Sequence, residues 1–143
     1  MREVARSALI PFSAEEAFSV VADVESYSNF LPWCAESQIV STEGGRLIGK
    51  LTLAKSGIRQ SFVTENVLAP PSSMTMMLID GPFQSLEGGW KFEPLGADGV
   101  KVSLKLAFEF KSKLLDQTFG RIFSVAADTM VDAFSGEIAK RHG

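Results

Sequence analysis

The sequence predicts an α+β fold: a curved antiparallel sheet of about seven strands wrapped on one long C-terminal helix, with a short helical segment after strand one. Three patterns predict it. From Ala35 to Phe110 the chain runs in strand-length segments divided by turn residues. Past Lys111 the apolar period changes from two to 3.6 and keeps that period almost to the last residue. Between the first strand and the strand series lies a stretch with helix-start chemistry. A sheet of this kind must bury one face, and only the terminal helix is long enough to cover it. With no repeat, low-complexity tract or linker, residues 1–143 read as a single domain.

Arg2 to Ile10 alternates weakly, as a strand does, and stops at Pro11. Ser13-Ala-Glu-Glu16 then offers a capping box, with Phe12 placed to staple onto Ala17, so a short helix starts here with Phe18 and Val21 on its apolar face. The acidic, serine-containing stretch from Asp23 to Ser28 interrupts it before a second short segment ending near Pro32. Gly44-Gly45, Ser56-Gly57, Pro70-Pro71, Gly81-Pro82 and Gly96-Ala97-Asp98-Gly99 then mark successive hairpin turns.

In the last strand Val100, Val102, Leu104, Leu106, Phe108 and Phe110 share one face, while Lys101, Ser103, Lys105 and Glu109 share the other. Its predecessor turns Leu86, Trp90 and Phe92 inward and Glu87, Lys91 and Glu93 outward. Both strands thus face one core and keep a wet outer surface. The terminal stripe comprises Leu115, Phe119, Ile122, Phe123, Ala126, Met130, Phe134 and Ile138. About 28 residues at 1.5 Å each span ~42 Å, enough to cross a whole sheet. A curved sheet gripping such a helix leaves a concave apolar space, the kind of place where ligands bind.

Composition narrows the function classes. Eleven Phe and two Trp against one Tyr give an aromatic supply that carries almost no hydroxyl, which suits a dry interior. Fourteen basic against seventeen acidic residues provide no global attraction to phosphate backbones or anionic membranes, so a nucleic-acid role requires a local patch. The N-terminal apolar run is too short for a signal peptide, and no stretch reaches the ~18 apolar residues of a membrane span. A cytoplasmic location is expected, with at most transient contact at the inner-membrane surface. Cys34 is the single cysteine, so it forms no intrachain disulfide and is expected to pack as a small apolar side chain.

Reactive constellations are sparse. Metal binding needs clustered ligands, whereas the sole His142 lies one residue from the end and Cys34 stands alone. A nucleophilic triad needs an imidazole held in the interior, which His142 does not supply. Phosphate-cradling GxGxxG and GxxxxGK[ST] loops are absent from the sequence. Gly44-Gly45 reads as a turn and Gly88-Gly89 as a sharp strand bend. Among the carboxylates Asp80, Glu87 and Glu109, Asp80 is the one to watch. It precedes Gly81-Pro82-Phe83, where an Asx turn would use it structurally and an apolar pocket would make it an acid. Arg46, Lys50, Lys55 and Arg59 cluster in two neighbouring strands; solvated strand faces explain them, and so would an RNA-facing patch. Met74, Met76 and Met77 suit a core, or a pocket for a flexible apolar ligand.

Four segments carry a family likeness: YSNFLPWC (27–34), DGPFQSLEGGWKF (80–92), FEF (108–110) and FGRIF (119–123). Through them the chain resembles, from end to end, the bacterial ribosome-association toxins (RatA) and the coenzyme Q-binding proteins of the START-like, polyketide cyclase-like superfamily. Ser28 stands where those proteins usually have Pro, and the DGPF and GGWKF segments look closer to the toxins. The resemblance implies a helix-grip (START-like) fold that holds ubiquinone or a related polyisoprenoid lipid and supports respiratory quinone function, with no cofactor and no catalysis. For the toxins it also implies binding to the large ribosomal subunit, which blocks subunit joining, and an antitoxin protein as a further partner. Some superfamily relatives are cyclases or dehydratases, for which Asp80 would be the pocket acid.

The expected pocket lining is Leu31, Trp33, Phe62, Met76, Leu78, Trp90, Leu115, Phe119, Phe123 and Met130, with Gly120 and Ala127 allowing close approach of a lipid tail. Each five-carbon isoprene unit would contribute at most ~4 kcal/mol at ~0.8 kcal/mol per buried CH₂. Such a tail needs no charged partner.

Overall fold

Residues 2–143 are described by a computed structural model. Its elements are β1 (Arg2–Ile10), α1 (Ala14–Val21), a 3₁₀ turn (Val24–Ser26), α2 (Tyr27–Phe30), β2 (Cys34–Glu43), β3 (Arg46–Lys55), β4 (Ile58–Ala69), β5 (Ser73–Asp80), β6 (Phe83–Leu95), β7 (Gly99–Phe110) and α3 (Lys113–His142). The strands form one antiparallel sheet in the order β1-β7-β6-β5-β4-β3-β2. Six of them meander through hairpins, and β1 closes against the last. The α+β plan expected from the sequence is therefore present, including the short helical segment after β1.

Local chemistry sets the helix starts. Ser13 Oγ accepts from the Glu16 N–H at 3.1 Å, and Glu16 Oε1 accepts from the Ser13 N–H at 2.9 Å, which is the expected capping box. Ser112 Oγ accepts from the Leu115 N–H at 3.1 Å and opens the 30-residue α3. That helix lies against β1, β7 and α1. Arg2 fastens its first turn through Asp116 (2.9 Å), and Arg141 fastens its last turn to Asp23 (3.0 Å) beside α1.

Curvature has identifiable sources. A Cβ on Gly88 would run into the Lys105 carbonyl, and one on Gly89 would stand 2.8 Å from the Met74 carbonyl. The middle of β6 is thus pressed between both neighbours, as only glycine permits. Register shifts in β2, between Val63 and Thr64 in β4, and between Phe83 and Ser85 in β6 add further bends. The concave face turns Phe62, Met74, Trp90, Leu104 and Phe108 toward α3, and all five are buried.

A small apolar cavity as the candidate functional site

β4 positions the unusual part of the interior. Phe62 faces inward, so the period of two also sends Thr64 and Asn66 inward, and both are buried. The Thr64 hydroxyl donates to Asn66 Oδ1 at 2.8 Å, which leaves the Asn66 amide nitrogen with only the Met74 sulfur at 4.0 Å. These side chains border a cavity of about 40 Å³ under α3. Its remaining walls are Val24, Tyr27 and Trp33 from the helical segment, Gly49 and Leu51 of β3, Met76 of β5, Leu86 and Trp90 of β6, Leu106 of β7, and Phe123, Ala126, Ala127 and Met130 of α3. A water needs ~10–15 Å³ by the same measure, whereas pockets for drug-sized ligands run to ~300–1,000 Å³. The cavity as it stands is small, and a lipid-sized guest would have to widen it.

The lining contains no carboxylate, ammonium, guanidinium, imidazole or thiol. Tyr27 is its only titratable group; the hydroxyl donates to the Val21 carbonyl, and burial pushes the phenol above its usual range. Next to the wall, the Cys34 thiol donates to the Glu36 carbonyl at 3.3 Å and burial pushes it up to about 11, so it is an inert packing group. Trp33 is 7% exposed, and its indole N–H has no hydrogen-bond partner. The cavity therefore offers apolar contact, and its wall has no acid or base to transfer a proton.

The structure brings together seven of the expected lining residues: Trp33, Phe62, Met76, Trp90, Phe123, Ala127 and Met130. Five others fall elsewhere. Phe119 is consumed in a cluster with Phe83, Phe110 and Phe123, with ring centroids 5.6–6.1 Å away. Gly120 serves the sheet rather than a lipid tail, because a Cβ there would stand 3.2 Å from the Phe110 ring and 3.3 Å from the Arg2 guanidinium. Leu31 is buried in the core, and Leu78 and Leu115 are half-buried at its margin, all outside the cavity wall. Thr64, Asn66, Tyr27 and Gly49 are lining residues that the sequence reading passed over. The signal for two of them was present: an inward Phe62 fixes the phase of Thr64 and Asn66.

The four expected RNA-facing cations do not form one patch. Arg46 and Lys50 share the outer face of β3 and Arg59 follows on β4, but Lys55, an odd number of residues from Lys50, takes the opposite phase. Arg46 is paired to Glu65 at 3.0 Å and Arg59 to Glu36 at 3.2 Å. The outer face also carries a groove of about 850 Å³ across β1, β7, β6, β5 and β4, floored by Val67, Met77 and Ala107. Glu3, Glu65, Glu87 and Glu93 outnumber Lys91 and Lys105 around it, which disfavours a nucleic-acid backbone there. Asp80 is exposed at the end of β5 and does not line the cavity. No helix is long and apolar enough to cross a membrane among the described residues, and no cluster of metal-ligating side chains occurs among them.

Comparison with known proteins adds four findings. Residues 10–135 match the family model described as polyketide cyclase / dehydrase and lipid transport. The ribosome association toxin RatA of Vibrio cholerae is 42% identical over 143 residues, covering 100% of this chain and 99% of its own length. The mitochondrial coenzyme Q-binding protein COQ10 homolog B of Xenopus laevis is 30% identical over 99% of this chain and 59% of its own. Among solved structures, the ZhuI aromatase/cyclase from Streptomyces sp. R1128 superposes with a TM-score of 0.87 at 17% identity, covering 98% of this chain and 94% of that one. At that identity the likeness is one of fold alone.

Proposed function

The chain belongs to the polyketide cyclase / dehydrase and lipid transport family, and we propose that it binds a polyisoprenoid quinone, or a closely related lipid, in the cavity under α3 without transforming it. One observation carries this reading: the cavity wall is aromatic and aliphatic and lacks every side chain that moves protons at neutral pH. The same observation argues against a cyclase or dehydratase. Binding requires the small space to widen. Met76 and Met130, unbranched and adaptable, are the wall residues suited to give way, and Leu51 is only half-buried. A tail entering there loses its hydration without needing a counter-charge, which suits the chemistry of an isoprenoid.

The test is native mass spectrometry with lipid extraction on protein purified from its own host without detergent, followed by titration with a short-chain ubiquinone. Trp33 and Trp90 are the only two tryptophans and both line the cavity, so a bound quinone should quench most of the intrinsic fluorescence. Protein that carries no lipid and shows no quenching would sink the proposal.

A second reading is favoured by the 42% full-length identity to RatA: association with the large ribosomal subunit. The pocket and an outer surface can serve different partners, so the two readings are compatible. The ion pairs of Arg46 and Arg59 are solvent-exposed and of the kind that contributes little, so a phosphate backbone could displace them in such an association. Co-sedimentation with large subunits at low and high salt measures it. No co-sedimentation even at low salt would remove this reading and leave the first untouched.

A further inference from the structure

The groove on the outer face is made of two adjacent rows of residues that strand register carries across β4, β5, β6, β7 and β1. One row runs Glu65, Met77, Glu87, Ala107 and Glu3; the next runs Val67, Thr75, Gly89, Lys105 and Ala5. All of them line the groove. Gly89, Ala5 and Ala107 keep its floor low, and Gly89 has no room for a Cβ, which would stand 2.8 Å from the Met74 carbonyl. Large apolar groups meet water here: Met77 is 60% exposed and Val67 39%. Charge is divided across the width. Glu65, Glu87 and Glu3 take alternate strands of the first row, while Lys105 stands in the second and Lys91 in the row beyond it, followed by Glu93. Of these six charged groups only Glu65 is in an ion pair among the described residues, with Arg46.

Backbone hydrogen bonding decides what can lie there. β4, β5, β6 and β7 each have a strand on both sides, so an extended peptide finds no free edge over most of the groove. A helix satisfies its own backbone and can dock through side chains alone. Four strand spacings of ~4.8 Å give a length of ~19 Å, which about 13 helical residues cover. Carboxylates on alternate strands are ~10 Å apart, and two helical turns rise ~11 Å. We propose that this groove docks an amphipathic helix of a partner protein, its apolar stripe on Val67, Met77 and Ala107 and a flank of Lys or Arg, two turns apart, over Glu65, Glu87 and Glu3. The cavity lies under α3 on the opposite face of the sheet, and the inference is independent of what it binds. Burial of the exposed apolar side chains supplies affinity, and the division of charge fixes which way round the helix lies. A nucleic-acid backbone would meet the carboxylate row, which makes the partner a protein.

The experiment follows the anisotropy of a dye-labelled peptide of about 14 residues that has a leucine stripe and lysines two turns apart on one flank. Two control peptides accompany it: the same composition scrambled so that the stripe is lost, and a version with glutamate in place of each lysine. The full-length protein should bind the basic amphipathic peptide about tenfold more tightly than either control, and the affinity should fall as salt rises. Glu3→Lys combined with Glu87→Lys should weaken that binding by about tenfold, the scale of a few exposed charge pairs, and should improve binding of the glutamate peptide. Met77→Ser should weaken both helical peptides by about threefold to tenfold through lost apolar contact. These side chains are exposed, so circular dichroism and the denaturant midpoint should stay near wild type in both variants. No binding of the basic peptide at low salt, equal binding of all three peptides, or unchanged affinities in both variants would overturn the proposal.

Discussion

Where α3 begins, Phe83, Phe108, Phe110, Phe119 and Phe123 meet ring to ring at centroid distances of 4.8–6.3 Å, and of the five only Phe123 also borders the cavity. Further along the same helix the side chains shrink to Ala126 and Ala127, the facing strand presents Thr64 and Asn66, and about 40 Å³ stays unfilled. One helix therefore covers two interiors of different character. The first obeys the rules of a core, with edge-to-face aromatic pairs adding to area burial. The second departs from them, keeping a void and underused polar atoms that a purely structural core would have replaced. Departures of this kind concentrate where a protein binds something.

Truncation at the two ends should break the comparison most sharply. Phe108 is fully buried between Phe83 and Phe123, so Phe108→Ala should cost about 3–5 kcal/mol in chemical denaturation, the range for a large buried aromatic whose surroundings cannot collapse. A loss below about 1 kcal/mol would mean that the aromatic end is as loosely packed as the other, and the contrast would fail.

The opposite sign is expected at the cavity end. Thr64→Val with Asn66→Leu removes a buried polar pair whose amide nitrogen has only a thioether beside it and replaces it with hydrocarbon of similar size. The double variant should raise stability by about 1 kcal/mol or leave it unchanged, as replacing both partners of a buried hydrogen bond usually does. A destabilisation of about 2 kcal/mol or more would show that the Thr64–Asn66 contact holds β4 in place and is structural.

The dense end was more legible in the sequence than the hollow one, for a physical reason. β7 and α3 each carry a long amphipathic stripe, and such a stripe fixes both the element and its buried face. The inward phase of Phe119 and Leu115 was equally readable, yet it says only that a residue faces the core. Whether the core is full at that point depends on the summed volumes of side chains from four or five elements, and no single stripe encodes that sum. Gly120 illustrates the ambiguity: a helical glycine admits a close neighbour, and only the fold reveals that the neighbours are Phe110 and Arg2. Thr64 and Asn66 were readable from the phase of Phe62 but were masked by their polarity, which by itself suggests the outer face. Lys55 was misassigned in the same way, because neighbouring strands were read as one surface without counting odd and even positions.

The smallest effect concerns how α3 is held over both interiors. The Arg2 guanidinium hydrogen-bonds Asp116 at the start of the helix and lowers its carboxyl pKa; the Ser13 backbone N–H, aided by its hydroxyl, does the same for Glu16 at the start of α1. A carboxylate whose folded pKa lies below its unfolded value adds stability that is fully present above the unfolded value and is lost as pH falls through the folded one. Both unfolded values lie near pH 4. The denaturant midpoint should therefore be flat from pH 7 to about pH 5 and fall below about pH 4. Asp116→Asn should lower the midpoint slightly at pH 7 and make the acid limb shallower, and since both groups are solvent-accessible, added salt should shrink the difference. If Asp116→Asn left the acid limb unchanged, the grip of β1 on the first turn of α3 would rest on packing at Gly120 instead, and the dense end would owe its rigidity to shape alone.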